Sequence, residues 1–224
     1  MLSDIIPRSY ILYSMPYNSQ WPSPEFVDVI LKTEDRNGML DPNWKDYGTI
    51  DPEEYKLWSR NTCGMSCLRS ILQYTKCITF PIMTLAKRCT EYGGYIPTSD
   101  DIEGMFYQPF VDYLKGDFNL NGRVANSLTL EQILQEVSRK NFVIASVSPL
   151  IRDPRLIPPT RGGHLVLITG YDLDKSLSND ECGVLYIHDS TGYYNKNQKY
   201  AEISINDFMK FFAEKGIIIE NPKN

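Results

Sequence analysis

The sequence predicts an α+β fold in which N-terminal helices pack on a mainly antiparallel sheet. Before Phe142, apolar residues recur mostly at helical spacing, whereas the later part carries short apolar runs that favour β-strands. Polar stretches suited to tight turns separate the later runs, and such turns join antiparallel neighbours. Helices gathered before strands are typical of the α+β class.

Each predicted helix combines an apolar stripe with a start or stop signal. Asp51 caps a helix that has Pro52 at its first position, and Thr129 with Gln132 forms a capping box. The predicted helices are a short one around Phe26–Leu31, one opened by Asp51, one beginning at Cys63, three over about Pro81–Tyr92, Asp100–Leu114 and Thr129–Arg139, and a last one from Ser204 to Gly216.

The predicted strands are short apolar runs bounded by turn residues. They cover Phe142–Val147, His164–Tyr171, Val184–Asp189, Tyr200–Ile203 and Ile217–Ile219.

Composition predicts one domain over residues 1–224 and argues against several kinds of partner. With 224 residues, 42% of them hydrophobic, the chain can build a full core. A net charge of -5 without basic clusters argues against nucleic-acid binding. No apolar run approaches the roughly 20 residues of a membrane span, and the N-terminus does not resemble a signal peptide. We therefore expect a cytoplasmic protein without membrane contact, and its oligomeric state stays open.

The cysteines favour a reducing compartment and no metal. They form an odd, scattered set that does not suggest a disulfide framework: Cys63, Cys67, Cys77, Cys89 and Cys182. Cys63 and Cys67 have a ligand-like spacing, but no second Cys or His pair accompanies them, so a zinc site is not expected. No glycine pair leads into a phosphate-binding loop. We predict neither metal nor cofactor.

Cys63 stands where a loop turns into an amphipathic helix. Asn61 or Thr62 can cap this helix, whose buried side is predicted to hold Cys67, Leu68, Ile71 and Leu72. A thiol at a helix N-terminus faces free backbone N–H groups and the positive end of the dipole, which favours the thiolate. The same N–H groups suit the oxyanion of a tetrahedral intermediate. A small buried core residue is the alternative interpretation.

His164 and His188 are the only two histidines in the sequence and thus the only candidates for an imidazole base. A symmetric hairpin with its tip near Ser176 and Leu177 places His164 directly opposite Asp189. The other pairs of this register are Gly170 with Gly183, Ile168 with Leu185, and Val166 with Ile187. In this arrangement His188 points to the other face, and a slip of one residue would reverse the assignment.

Together, Cys63, His164 and Asp189 supply a nucleophile, a base and an orienting acid for thiol acyl transfer. Each also has a plainer interpretation, since a buried histidine can be structural and an Asp before Ser-Thr-Gly often closes a turn. Their occurrence in a workable geometry favours the catalytic interpretation.

Three motifs resemble a known family. They are Cys63–Leu68, Gly163–Val166 with Gly170-Tyr171-Asp172, and Asp189–Gly192. They are similar to the double-glycine leader peptidase-like branch of the papain-like cysteine peptidases, and residues 204–217 resemble that family's closing helix and strand. The resemblance covers most of the chain from about Met15 and implies a papain-like fold. Relatives are often fused to a transporter; we expect a stand-alone member, for which Gly-Gly leader cleavage is only one option.

The family pattern includes a glutamine shortly before the nucleophile, whose amide helps form the oxyanion hole. Met15–Trp21 is similar to the extended segment that carries this glutamine in many relatives. The resemblance therefore assigns the role to Gln20, with a long insertion over residues 22–61 before Cys63. The orienting position is Asp or Asn in relatives, which Asp189 fits.

We expect a peptidase or amidase that cleaves a peptide or small amide through a Cys-His-Asp triad. One alternative is an acyltransferase that passes the acyl group to an amine. Another is a catalytically silent module that binds a peptide or metabolite on the same fold. The distant glutamine favours this last alternative, and the retained triad opposes it.

Four residues are candidates for substrate binding. Gly162 and Gly163 either let a substrate backbone approach the base or form a plain turn into the strand. Trp21 and Trp58 either line a pocket or pack in the core. The proline-rich loop over residues 149–160 either borders the cleft, with its two arginines meeting an acidic group, or stands in solvent.

Overall fold

The chain combines helices and strands in the order that the α+β class predicts. The structure is a computed structural model and describes residues 6–32, 41–177 and 183–224. Its helices are α1 Val27–Lys32, α2 Pro52–Trp58, α3 Cys63–Lys76, α4 Ile82–Glu91, α5 Tyr107–Phe118, α6 Leu130–Ser138 and α7 Ile205–Phe211. Its strands are β1 Ser9–Ile11, β2 Tyr95–Pro97, β3 Ile102–Gly104, β4 Gly122–Ala125, β5 Phe142–Val147, β6 His164–Asp172, β7 Val184–His188, β8 Ala201–Ser204 and β9 Phe212–Ile219. Short 3-10 helices span Pro24–Phe26, Trp44–Tyr47 and Pro149–Arg152.

One antiparallel sheet carries seven of these strands. Its order is β4-β9-β5-β6-β7-β8, and β1 pairs with the last residues of β6. Strands β2 and β3 form a separate hairpin. Every residue of β6 except Asp172 is buried, which explains why its sequence is continuously apolar rather than alternating.

Two apolar cores cover the two faces of the sheet. Helices α2 to α5 pack with Leu165 and Leu167 in the first core. Helices α6 and α7 pack with Val166 and Ile168 in the second core. Successive residues of β6 therefore point to opposite cores, as a period of two requires. The predicted packing of N-terminal helices on the sheet is confirmed.

Helix α3 begins at Cys63, as predicted. Its N-cap is Thr62, whose carbonyl accepts hydrogen bonds from the backbone N–H groups of Met65 at 3.0 Å and Ser66 at 3.1 Å. The Thr62 hydroxyl does not cap the helix and instead bonds with the hydroxyl of Tyr47. The predicted buried side is confirmed, since four residues are at most 4% exposed: Cys67, Leu68, Ile71 and Leu72.

The predicted helix over Asp100–Leu114 is wrong in its first half. Residues Ile102–Gly104 form strand β3, and α5 begins only at Tyr107. A turn precedes β3, in which the Thr98 N–H donates to the Asp101 carbonyl at 2.9 Å. Ile102 is buried in the first core either way, so its apolar character did not distinguish a helix from a strand.

The predicted last helix is also too long. Ser204 caps it as predicted, accepting from the Asp207 N–H at 3.0 Å, but the helix ends at Phe211 rather than Gly216. The following residues form β9, which lies between β4 and β5. Pairing on both edges outweighs the local helical preference of this segment.

The predicted insertion, residues 22–61, is anchored to the core in its described parts. Asp41 is fully buried and accepts hydrogen bonds from the N–H groups of Ser23 at 3.1 Å and Asn43 at 2.9 Å. The Tyr55 hydroxyl donates to the same carboxylate at 3.2 Å. Residues 33–40 of the insertion lie outside the described residues.

The β6–β7 hairpin has a register different from the symmetric one predicted. Ile168 pairs with Ile187, not Leu185, and a bulge at Thr169 sets Gly170 opposite Tyr186, not Gly183. Near His164 the shift is two residues, and an even shift keeps each side chain on its predicted face.

The pairing of Leu167 with His188 continues toward Val166 beside Asp189, so Asp189 remains on the same side as His164. His188 points to the other face, as predicted. Residues 178–182 of the connecting loop lie outside the described residues.

Gly170→Ala is expected to destabilise the fold. The added Cβ would lie 2.5 Å from the Tyr10 carbonyl oxygen and 2.7 Å from the Ile11 Cα, so β1 must shift. Overpacking of this kind costs about 1–3 kcal/mol, which urea unfolding will measure. Gly122→Ala is the matched control in a strand, because its nearest neighbour is the end of the Leu114 side chain at 3.3 Å. Equal losses in both variants would contradict the steric explanation.

Candidate active site

His164 and Asp189 meet at the ends of β6 and β7. The Nε2 of His164 lies 2.8 Å from the Oδ1 of Asp189, and the side chains are 4% and 1% exposed. Burial lowers the pKa of His164, but the Asp189 carboxylate and its hydrogen bond, with a contribution from Cys63, outweigh it and raise that pKa to about 9. The imidazole is therefore a cation at neutral pH.

The Asp189 carboxylate is held by several partners. Burial raises its pKa, whereas the positive charge and hydrogen bond of His164 outweigh burial, with help from Arg152, and keep the pKa below its ordinary value. Its Oδ1 also accepts hydrogen bonds from the backbone N–H of Thr191 at 2.9 Å and from the Thr191 hydroxyl at 3.0 Å. Asp189 therefore closes a turn on its own backbone and contacts the histidine as well.

Thr191 is a site residue for which the sequence predicted no role. Its Oγ1 lies 3.3 Å from the Nε2 of His164 in addition to its bond with Asp189. The signal was the hydroxyl residue two positions after Asp, a spacing typical of turns in which the Asp side chain accepts from the backbone. That signal indicates a turn, not proximity to a histidine on another strand.

Cys63 is the first residue of α3 and is partly exposed. As at any helix start, the first N–H groups lack acceptors within the helix. The thiol lies close enough to the imidazole of His164 to help raise the pKa of that imidazole. Such contacts are often loose without substrate and tighten when it binds.

Gln20 lies between the loop that contains Asp189 and the turn before α3, although 43 positions separate it from Cys63 in sequence. Its backbone N–H donates to the Ser190 carbonyl at 2.9 Å, next to Asp189. Its side-chain amide donates to the Ser59 carbonyl at 2.8 Å, in the turn before α3. Gln20 is 2% exposed, and its Oε1 has no hydrogen-bond partner among the described residues.

The two tryptophans are core residues that also line cavities. Trp21 is 2% exposed and borders a cavity of about 310 Å³. Trp58 is 6% exposed, packs edge-on against Tyr95 and borders a wider cleft of about 790 Å³. Asn61, two residues before Cys63, lines that cleft as well. Each tryptophan therefore packs in the core and also lines a cavity.

Gly162 and Gly163 have positive φ angles of 95° and 91°, which L side chains rarely adopt. An added Cβ would have no atom nearer than 3.5 Å at Gly162 or 3.9 Å at Gly163, so conformation and not crowding calls for glycine. This geometry fits a turn into β6. Gly163 is exposed, so its backbone is accessible to a ligand.

The two loop arginines differ in their surroundings. Arg152 is partly buried, donates to the Pro149 carbonyl at 2.7 Å, and lies near enough to Asp189 for their charges to interact. Arg155 is exposed and pairs with Asp153 at 2.7 Å. The acidic group near Arg152 is thus Asp189 of the protein itself.

Cys67 belongs to the core, as expected, and burial raises the pKa of its thiol. Within the described ranges, no three His, Cys, Asp or Glu side chains cluster closely enough to hold a metal ion. No helix in this part of the chain is long and apolar enough to cross a membrane.

Comparisons with known proteins agree with this architecture. The structure resembles the crystal structure of a protein assigned as a C39-like peptidase from Bacillus anthracis, with a TM-score of 0.56 and 15% identity over 96% of this chain and 98% of that chain. At this identity the likeness shows the fold, which is papain-like as predicted. No curated protein matches the chain. A sequence model described as the Peptidase_C39 like family matches residues 43–216, which include Cys63, His164 and Asp189 but not Gln20. The chain therefore belongs to the Peptidase_C39 like family, as its motifs predicted.

Proposed function

We propose that the protein is a cysteine peptidase or amidase whose catalytic triad is Cys63, His164 and Asp189. Family and fold support a function of the cysteine-peptidase type. The observation that carries the triad is the buried His164–Asp189 pair beside a cysteine at a helix start. A purely structural histidine gains nothing from a neighbouring thiol, whereas an imidazolium stabilises a thiolate nucleophile.

The proposed reaction proceeds through an acyl-enzyme. The Cys63 thiolate attacks the substrate carbonyl, and the resulting oxyanion is held by the Cys63 backbone N–H and the Gln20 amide. The His164 imidazolium gives its proton to the leaving amine as the C–N bond breaks. The neutral imidazole then takes a proton from water, whose oxygen attacks the thioester and releases the acid and the thiolate.

Asp189 has a positioning role in this scheme. Its bond to Nε2 leaves the Nδ1 of His164 for the thiol and the substrate, and its charge stabilises the imidazolium. Thr191 holds the carboxylate in place through its N–H and hydroxyl.

The same acyl-enzyme also serves transfer to an amine, so the acceptor separates a hydrolase from an acyltransferase. Mass spectrometry after exposure to esters, thioesters and peptides will detect an acyl group on Cys63. Water alone should release that group if the protein is a hydrolase. A transferase would retain the acyl group until an amine is added, and a silent binding module would form no adduct.

Cys63 should react with iodoacetamide at pH 6 faster than an ordinary thiol if it is the proposed nucleophile, because a neighbouring imidazolium assists attack by sulfur. Cys77 provides an internal control, since it is an exposed free thiol at the end of the same helix. Peptide mapping by mass spectrometry will give the ratio of the two alkylation rates. We expect this ratio to exceed one in the wild type and to fall at least tenfold in His164→Ala. A ratio that His164→Ala leaves unchanged would remove the ion pair from the mechanism.

The pKa values of the two histidines should differ widely, and NMR of histidine-labelled protein will measure both. With a pKa raised to about 9, His164 will be protonated at pH 7 and lose its proton as the pH rises through about 9. Asp189→Asn removes the main cause of the increase, so burial prevails and the His164 pKa should fall to about 6.5 or below. Asp153→Asn, at an exposed ion pair, is the control and should leave it in place. A neutral His164 in the wild type at pH 7 would contradict the assignment.

Gln20→Ala should slow acylation by p-nitrophenyl acetate, measured from the initial release of p-nitrophenolate. Loss of one oxyanion donor typically lowers the rate on the order of 100- to 1000-fold. Gln198→Ala is a matched control, because Gln198 is also buried and its amide donates to a backbone carbonyl, that of Pro24, at 3.0 Å. If both variants lose activity equally while remaining folded, Gln20 has no special role in the oxyanion hole.

A further inference from the structure

A polar cavity borders the extended segment Met15–Trp21, which carries Gln20 and which we call the oxyanion segment. It has a volume of about 310 Å³, and we call it the Arg69 cavity. Tyr17, Ser19 and Trp21 line it from the segment that carries Gln20, whereas Gln20 itself does not line it. Tyr47 and Arg69 contribute from the insertion and from α3. This volume falls within the size range of small-ligand sites.

Arg69 brings a partly buried cation into this cavity and forms no ion pair with the described residues. Its guanidinium makes no hydrogen bond or ion pair with the described residues, and its Nε is fully buried without a partner. Burial lowers the pKa of Arg69, but a guanidinium remains charged in proteins. An unpaired, partly desolvated cation is costly, so an anion in the cavity would recover the lost solvation.

Trp21 adds a second unpartnered donor. Its side chain is 2% exposed, and its indole N–H is buried without a hydrogen-bond acceptor. A buried donor left in this way costs roughly 1–3 kcal/mol. Trp21 and Arg69 line the same cavity, so a ligand held there would lie beside both side chains.

We propose that the Arg69 cavity binds the carboxylate of a small ligand. A planar carboxylate matches the two parallel N–H bonds that a guanidinium offers and can also accept from the indole N–H. Asp46 also lines the cavity and is exposed, so it disfavours a doubly charged phosphate more than a singly charged carboxylate. The carboxylate can belong to a free small acid or to the C-terminus of a peptide.

The indole N–H resonance of Trp21 provides a direct test. The protein has three tryptophans, so ¹⁵N-labelled protein gives three indole signals, and Trp21→Phe identifies the one to follow. Sodium acetate and N-acetylalanine are titrated separately, with N-acetylalaninamide as the uncharged match and inorganic phosphate as the competing anion. We expect saturable shifts of the Trp21 signal with one or both carboxylates and none with the amide. Preference for acetate assigns a free acid, and preference for N-acetylalanine assigns a peptide terminus.

Arg69→Met should weaken carboxylate binding at least tenfold, and Arg69→Lys should weaken it less. Arg88→Gln is the control, because that guanidinium already pairs with Asp117 at 2.9 Å on the surface of α4. No saturable shift in the wild type, equal shifts with the amide, or tighter binding of phosphate would overturn the proposal. The wild-type titrations decide the question even if an Arg69 variant fails to fold.

Discussion

The arrangement of the site depends on one buried contact, the ion pair between His164 and Asp189. Separating such a pair would leave each charge buried without compensation, which is costly. Thr191 adds two hydrogen bonds to Oδ1, the oxygen that contacts His164, and the charge of Arg152 stabilises the carboxylate further. The Oδ2 of Asp189 has no hydrogen-bond partner among the described residues. The ends of β6 and β7 must therefore stay together, and the hairpin between them fixes that distance through its register.

The oxyanion segment is hydrogen-bonded to the loop after β7 on one side and to helix α3 on the other. Gln20 donates its N–H to the Ser190 carbonyl, and the Tyr17 hydroxyl donates to the Asp189 carbonyl at 3.2 Å. On the other side, the Ser66 hydroxyl of α3 donates to the Ser19 carbonyl at 3.4 Å. The same short segment thus contacts both the helix that begins at Cys63 and the loop that holds the acid. This explains how a residue 43 positions before the cysteine reaches the site despite the insertion.

Local patterns in the sequence predicted the parts of the site better than their surroundings. The start of α3 followed from its apolar spacing, and the His-Asp contact followed from strand alternation, since an even error in register preserves the face. The bulge at Thr169 was not predictable from the alternation of the two strands, and it lies beside β1, whose backbone at Tyr10 and Ile11 crowds Gly170. The first part of β9, residues 212–216, was mistaken for a helix because its pairing partners are distant in sequence, whereas its end, Ile217–Ile219, was predicted as a strand. Arg69 carried no local signal, and Trp21 was a candidate only for lining a pocket, since the unpartnered state of both side chains exists only in the folded chain.

The two histidines show how alternation along one strand determines chemistry. His188 precedes Asp189 directly, yet it points to the opposite face and packs edge-on against Tyr17 and Tyr200 at 5.5 and 4.6 Å between ring centres. Burial, with the charge of Lys199, lowers its pKa to about 3, against a weak opposing contribution from the Pro16 carbonyl, so it is neutral in the folded protein. Below pH about 6.5 His188 takes up a proton in the unfolded chain but not in the folded one. It therefore lowers the free energy of unfolding in acid. His164 behaves in the opposite sense: its contribution to stability is fully present below about 6.5 and is lost as the pH rises through about 9. The aromatic contact of His188 with Tyr17 joins β7 to the oxyanion segment, so the neutral histidine lies against the segment that carries Gln20 while the charged one is the proposed partner of Cys63.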